Sequence, residues 1–158
     1  MQIFILSAIT DSVNIRGIFF MNELSNTWTD TEKQLYLIAL KYALHLESEE
    51  NPIKKEFMKS KAKELGCAIS KLPKVHGSKD LIALLSSIPS VRTKRYFLRD
   101  MILLSAADHD LSDNAINQIY EIGTQIGLRP EKIDDLFLWA ARGLEWQIEG
   151  SRLINEDI

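Results

Sequence analysis

Apolar residues recur three or four positions apart along the chain from Trp28 onward, which is the spacing of one face of an α-helix. Hardly any alternation of apolar and polar residues, the pattern of a β-strand, follows residue 24. The pattern predicts six helices with short connections, over residues 30–47, 52–65, 79–87, 91–107, 113–126 and 130–149. We therefore expect an all-α fold that forms a single compact bundle of about six helices.

Residues that favour helix ends stand at the borders of these segments. Thr29 and Glu32 have the spacing of a capping box, and Pro52 follows Asn51 in the position that proline prefers in a first turn. The other predicted N-caps are Ser78, Ser90 and Ser112, and the predicted helix-ending glycines are Gly66, Gly127 and Gly150. The first helix is apolar almost all round between positions 35 and 46, so it is predicted to lie at the centre of the bundle.

The last predicted helix carries two apolar stripes. Its predicted core face comprises Ile133, Leu136, Phe137, Ala140, Leu144 and Ile148. A second stripe beside it holds Trp139, Gly143 and Trp146, close to Arg142. Two interpretations are open: the second stripe is covered, in part by residues 1–20, or it is an exposed aromatic patch that binds a protein partner. The candidate binding residues are Trp139, Arg142 and Trp146.

Residues 1–20 differ from the rest of the chain. They begin with a short apolar run, which polar residues interrupt at positions 10–12 and 14. The run is too short to span a bilayer and lacks the basic start of a secretory signal. It is either an added packing element or sequence upstream of an alternative start at Met21. The predicted organisation is thus an apolar N-terminal extension, residues 1–20, followed by one all-α domain, residues 21–158.

Composition and charge narrow the classes of protein further. The chain has 158 residues, of which 46% are hydrophobic, and a net charge of −3. Its single cysteine, Cys67, excludes an intrachain disulfide framework and a multi-cysteine zinc site, and is compatible with the cytoplasm, the predicted location. Residues 41–99 hold thirteen basic and six acidic residues, and residues 100–158 hold four and twelve. No nucleic-acid-binding motif accompanies the basic segment, so nucleic acid is not an expected partner.

Asp108, Asp110, Ser112 and Asp113 form an acidic turn before the fifth predicted helix. Oxygen ligands at alternate positions suit a hard divalent cation, so Asp108, Asp110 and Asp113 are the candidate metal ligands. The sixth position is not glycine and the twelfth is Ile119, so the turn is not an EF-hand. The alternative is a turn whose acidic and hydroxyl side chains cap the following helix.

No motif of enzymatic chemistry was found. The three histidines, at positions 45, 76 and 109, lie on separate segments, and there is no nucleophile elbow, phosphate-binding glycine loop or H-E-x-x-H motif. We expect a non-enzymatic protein without a cofactor, unless the acidic turn binds a divalent metal.

Residues 97–112, which read FLRDMILLSAADHDLS, resemble the TerB-like family, named for tellurite-resistance proteins. The resemblance continues through Ile126-Gly127-Leu128 to Phe137. The family pattern is an apolar helix, an Asp-Gly turn, a hydrophobic and a capping residue, and a second helix that ends in a glycine. Asp108, Leu111 and Ser112 match the turn, whereas His109 replaces the usual glycine and Ala115 a usual glutamate.

The resemblance implies an all-α fold of two related helical halves, with residues 28–67 as the first helix pair. It also implies a small binding or scaffolding module, linked to stress response or tellurite resistance. Acidic turns in some relatives are linked to divalent metals, and the alanine at position 115 weakens that expectation here. The leading hypothesis is therefore a non-enzymatic protein-interaction module. The alternative is a divalent-metal-binding stress protein that uses residues 108–113.

Overall fold

The computed structural model describes residues 25–46, 51–108 and 111–155. They form six α-helices: α1 (Asp30–Leu44), α2 (Pro52–Leu65), α3 (Ser78–Ser86), α4 (Val91–Ser105), α5 (Asp113–Gln125) and α6 (Pro130–Asn155). A single 3₁₀ turn, Ile69–Lys71, lies between α2 and α3, and the described residues contain no strand. The predicted all-α bundle is confirmed. The predicted N-terminal extension, residues 1–20, lies outside the described residues.

Helix α1 is the centre of the bundle, as its apolar sequence predicted. Seven consecutive or nearly consecutive side chains of α1 are buried: Leu35, Tyr36, Leu37, Ile38, Ala39, Leu40 and Ala43. The helix packs against α2, α3 and α4. Its start is fixed by the predicted capping box, in which Thr29 Oγ1 accepts from the Glu32 amide at 3.1 Å and Glu32 accepts from the Thr29 amide at 2.8 Å.

Helices α2 and α5 end with the same hydrogen-bonded turn. Gly66 and Gly127 both adopt left-handed backbone conformations, with φ of 67° and 92°. The residue after each glycine donates its amide to a carbonyl five residues earlier, Cys67 to Ala62 and Leu128 to Gly123, both at 3.0 Å. These are Schellman motifs, which occupy carbonyls that the helix end would otherwise leave without partners.

Several predicted helix borders differ from those of the structure. Helix α1 ends at Leu44 instead of 47. Ser78 is the first residue of α3, and Gly77 holds the N-cap position without a side-chain hydrogen bond. Gly150 does not end α6, which continues to Asn155. A glycine costs a helix interior only about 1 kcal/mol relative to alanine, so it ends a helix only where the backbone turns left-handed.

The last helix also differs from its predicted core face. Ile133 and Ala140 are buried, and Leu136 and Phe137 pack against the core, but Ile148 is 57% exposed. Gly123 of α5 lets α4, α5 and α6 approach closely. A Cβ atom at this position would lie 2.8 Å from Ile133 Cδ1 and 2.9 Å from Leu98 Cδ2. The first half of α6 is therefore packed against the rest of the bundle, and its second half is not.

The described helices include none that is long and apolar enough to cross a membrane.

Candidate functional site

The most exposed apolar surface in the described part of the chain lies on α6. The predicted binding residues Trp139 and Trp146 are 50% and 70% exposed, and Arg142 between them is exposed as well. Leu153, which follows Trp146 by about two helical turns, is 63% exposed. We call the row Trp139, Gly143, Trp146, Gly150 and Leu153 the outer stripe of α6. Large apolar side chains so open to water are typical of surfaces that contact another protein.

The outer stripe is exposed because it lies on a different face of α6 from the buried Ile133 and Ala140. The first half of α6 packs against α4 and α5 through residues such as Ile133 and Ala140. None of the described side chains from 145 to 155 is buried. The structure thus brings Trp139, Arg142 and Trp146 together on one surface. Residues 1–20, the predicted cover for this stripe, lie outside the described residues.

The acidic turn before α5 is engaged in contacts within the protein. Asp108 accepts a hydrogen bond from Asn51 Nδ2 at 2.9 Å, and its other oxygen lies 3.4 Å from the ammonium nitrogen of Lys54. The Lys54 side chain is 3% exposed. The first turn of α5 is also bonded to the segment that follows α1, because Asn114 Nδ2 donates to the carbonyl of Leu46 at 3.1 Å. The buried Lys54 ammonium is therefore the cationic neighbour of Asp108.

Of the other predicted metal ligands, Asp113 lies within the described residues. Asp113 is exposed in the first turn of α5, where Ser112 caps the helix by accepting from the Ala115 amide at 3.1 Å. Ala115 itself is fully buried, so a glutamate at this position would have to enter the core. Asp110 and His109 lie outside the described residues. Residues 25–46, 51–108 and 111–155 contain no group of three or more His, Cys, Asp or Glu side chains that could hold a metal.

A buried polar network, which the sequence analysis missed, connects α1 to α4. The Tyr36 hydroxyl donates to Asp100 Oδ2 at 2.5 Å, and Arg99 Nε donates to Asp100 Oδ1 at 2.8 Å. Asp100 is completely buried, and the Arg99 guanidinium lies 4.2 Å from the centre of the Tyr96 ring. The rings of Trp28 and Phe97 pack around Tyr36 at 5.1 and 5.3 Å. The signal in the sequence was an aspartate three residues after Phe97, on the core face of an amphipathic helix.

Burial and charge shift the ionisation of this network. Desolvation, with the neighbouring Asp100 carboxylate, raises the pKa of Tyr36 well above its usual value. The same two causes raise the pKa of Tyr96. Burial by itself would lower the pKa of Arg99, but Asp100 and Tyr96 outweigh it and the pKa rises. At neutral pH Tyr36 and Tyr96 are therefore neutral, and Arg99 carries its positive charge.

The raised tyrosine pKa values predict a loss of stability in alkali. Above pH 10 the tyrosines of the unfolded chain ionise, whereas Tyr36 and Tyr96 in the folded protein stay neutral. Ionisation therefore stabilises the unfolded state. Each such tyrosine lowers the free energy of unfolding by about 1.4 kcal/mol per pH unit above 10. Chemical unfolding at several pH values from 9 to 11 measures this slope, and Tyr36→Phe is expected to reduce it. An equal slope in the wild type and in Tyr36→Phe would contradict the assignment.

A cleft of about 440 Å³ lies between the end of α1, the loop before α3, and α5. Lys41, His45, Lys74 and His76 are on its lining, so two histidines from separate segments share one surface. Tyr42 donates to Gln118 Oε1 at 2.6 Å across the same cleft. No sequence motif marked it, because the loop and α1 meet only in the folded chain.

Several basic side chains of residues 41–99 make contacts within the fold. Lys54 pairs with Asp108, and Arg99 pairs with Asp100. Lys94 Nζ donates to the carbonyl of Ile126 at 3.0 Å, so at least three of the cations in this segment contact other parts of the chain.

Comparisons with protein-family models, with curated proteins and with solved structures find no match to this chain. The resemblance to the TerB-like family stays a prediction from residues 97–137.

Proposed function

We propose that this chain is a non-enzymatic, TerB-like helical module for protein interaction, and that the outer stripe of α6 is its contact surface. The observation that carries the proposal is the exposure of Trp139 and Trp146 beside Arg142. Tryptophan and arginine are the residues most enriched among those that dominate binding energy at interfaces. The TerB-like resemblance adds a bacterial cytoplasmic setting and a role in stress response or tellurite resistance.

Two local features support the TerB-like part of the proposal. The family pattern needs a capped turn before a helix that ends in a glycine, and Ser112 and Gly127 have the corresponding geometry. The matching Schellman motifs of α2 and α5 support two related helical halves. In each half, a capped helix of thirteen or fourteen residues is closed by a left-handed glycine.

The alternative, a divalent-metal-binding protein, has less support. Asp108 already has a cationic neighbour in Lys54, and Ala115 offers no ligand. A divalent ion next to a buried ammonium group would meet electrostatic repulsion in a poorly solvated place.

Cross-linking from position 146 tests the interaction proposal. A photo-reactive phenylalanine derivative replaces Trp146 in the full chain, in the cell that makes it, and a second protein carries the same group at Val91. Val91 is 48% exposed at the start of α4, so it serves as the matched control. We expect protein adducts from position 146 at several times the yield from position 91. Equal yields would contradict the proposal.

We expect the exposed side chain of Trp146 to contribute to binding and little to the stability of the fold. Trp146→Ala is expected to change the free energy of unfolding by no more than about 0.5 kcal/mol, because the side chain is mostly in water. Thermal unfolding at a protein concentration low enough to keep the chain monomeric checks this. A large loss of stability would mean that Trp146 is a core residue.

A further inference from the structure

Large and small residues alternate regularly along the outer stripe of α6. Trp139, Gly143, Trp146, Gly150 and Leu153 follow one another at intervals of four, three, four and three residues. This 3.5-residue average is the repeat of a coiled-coil seam, in which side chains of one helix fit into spaces on another. Here the seam offers an aromatic side chain and then an empty space, instead of two apolar side chains per repeat.

Within the described part of the chain, neither close packing nor a left-handed backbone requires glycine at positions 143 and 150. A Cβ atom added to Gly143 or Gly150 would have nothing within 4 Å, and neither glycine has a left-handed backbone. Glycine is the poorest helix former after proline, so two of them in a solvent-facing stripe weaken the helix without a local benefit. Their positions, directly between large apolar residues, leave two recesses on the stripe.

We propose, building on the function proposed above, that the partner of the outer stripe is a second copy of this chain, with the two α6 helices packed antiparallel. A twofold axis between Gly143 and Trp146 then places Trp146 over Gly143 of the partner subunit. The same axis places Trp139 over Gly150 of the partner subunit. A parallel pair would set tryptophan against tryptophan and leave the glycine layers empty.

The charges beside the stripe favour the same arrangement. Arg142 and Glu149 are seven residues apart and flank the stripe on one side of the helix. In an antiparallel pair, Arg142 lies next to the partner's Glu149, and symmetry repeats this contact. Glu149 pairs with Arg152 of its own helix at 2.6 Å, but both side chains are about half exposed. Such surface pairs contribute little, so the Glu149 carboxylate can accept from a second arginine.

The area available sets the expected strength of the dimer. A tryptophan buries about 150–250 Å² when it is enclosed, and half or more of Trp139 and Trp146 is exposed in the single chain. The four rings of a dimer would therefore remove several hundred Å² from water. That is less than the roughly 1,200–2,000 Å² of a standard interface, so we expect a weak and reversible dimer with a dissociation constant in the micromolar-to-millimolar range.

Sedimentation equilibrium of the full chain tests the charge pairing, from about 1 µM to about 1 mM. The wild type is expected to dimerise reversibly. Arg142→Glu and Glu149→Arg each create two like-charge contacts and are expected to raise the dissociation constant at least about tenfold. An equimolar mixture of the two variants is expected to dimerise again, because every flanking pair is then of opposite charge. Failure of the mixture to dimerise, although the wild type does, would overturn the arrangement.

Filling a recess separates dimerisation from stability. Gly143→Leu adds a better helix former in open space, so the single chain is expected to unfold at the same or a higher temperature. The added side chain occupies the place of the partner's Trp146, so the dissociation constant is expected to rise at least about tenfold. Ala141→Leu, at an exposed position off the stripe, is the matched control and is expected to change neither. Unchanged dimerisation of Gly143→Leu would overturn the proposal.

The experiments distinguish failure of the dimer from failure of the protein-interaction module. A wild type that stays monomeric up to 1 mM overturns the dimer, whereas adducts to another protein from position 146 would still support the interaction module. Adducts formed only within the same chain would overturn both, because the stripe would then be covered internally.

Discussion

Replacing Asp100 with alanine is expected to lower the free energy of unfolding by about 3–5 kcal/mol. The substitution leaves the Arg99 guanidinium, whose side chain is 19% exposed, without its buried counter-ion. It also removes the acceptor of the Tyr36 hydroxyl. For a chain of this length the loss corresponds to a fall of about 6–20 °C in the unfolding temperature. Thermal or chemical unfolding of the two proteins measures it.

Two further variants separate the parts of the Asp100 network. Asp100→Asn keeps the size of the side chain and an acceptor for Tyr36. The stability that this variant loses therefore measures the contribution of the negative charge. Tyr36→Phe removes only one hydroxyl, and is expected to cost about 1–3 kcal/mol because Asp100 loses a buried donor. If Asp100→Ala were no more costly than an average surface substitution, the network would not hold α1 to α4.

Asp108→Asn is expected to cost about 2–3 kcal/mol in protein stripped of metal. Removing one partner of a buried ion pair costs 3–5 kcal/mol in general, and the 20% exposure of the Asp108 side chain reduces this value. The measurement is thermal unfolding without metal and with millimolar calcium, magnesium or zinc. The expected loss is the same in every buffer, because the cation that Asp108 faces is Lys54.

Asp113→Asn is the matched control for Asp108. It removes one exposed carboxylate from the first turn of α5, where the helix dipole makes a negative charge worth about 0.3–1 kcal/mol. The metal alternative predicts a different result. Under that alternative the wild type is stabilised by a divalent ion, by about 2.7 kcal/mol at a hundred times the dissociation constant, and Asp108→Asn abolishes the effect.

Features that depend on neighbouring residues could be predicted from the sequence. The capping box at Thr29, the N-caps at Asn51 and Ser112, and the left-handed Gly66 and Gly127 each involve groups within five positions. Their physics is local, so the sequence pattern is sufficient. The central position of α1 was also predictable, because a helix that is apolar all round needs neighbours on every side.

Features that depend on distant residues could not be predicted. Tyr36 and Asp100 are 64 positions apart, and Asn51 and Asp108 are 57 apart, so no spacing rule connects them. Whether an apolar side chain of α6 is buried depends on how far α4 and α5 extend along that helix. The spacing in the sequence assigned Ile148 to the core, but its side chain is exposed in the structure.

The length of α6 has a consequence for the energetics of association. A helix of 26 residues is about 39 Å long, and the part beyond Leu144 makes few contacts that would hold it helical. Isolated helical segments of this size are marginal in water, so the last three turns unwind at little cost in free energy. Pairing with another helix would then include ordering of this end, and part of the binding free energy would be spent on folding it. Affinity at this surface can therefore be tuned by residues that never touch the partner, simply by their preference for the helical state.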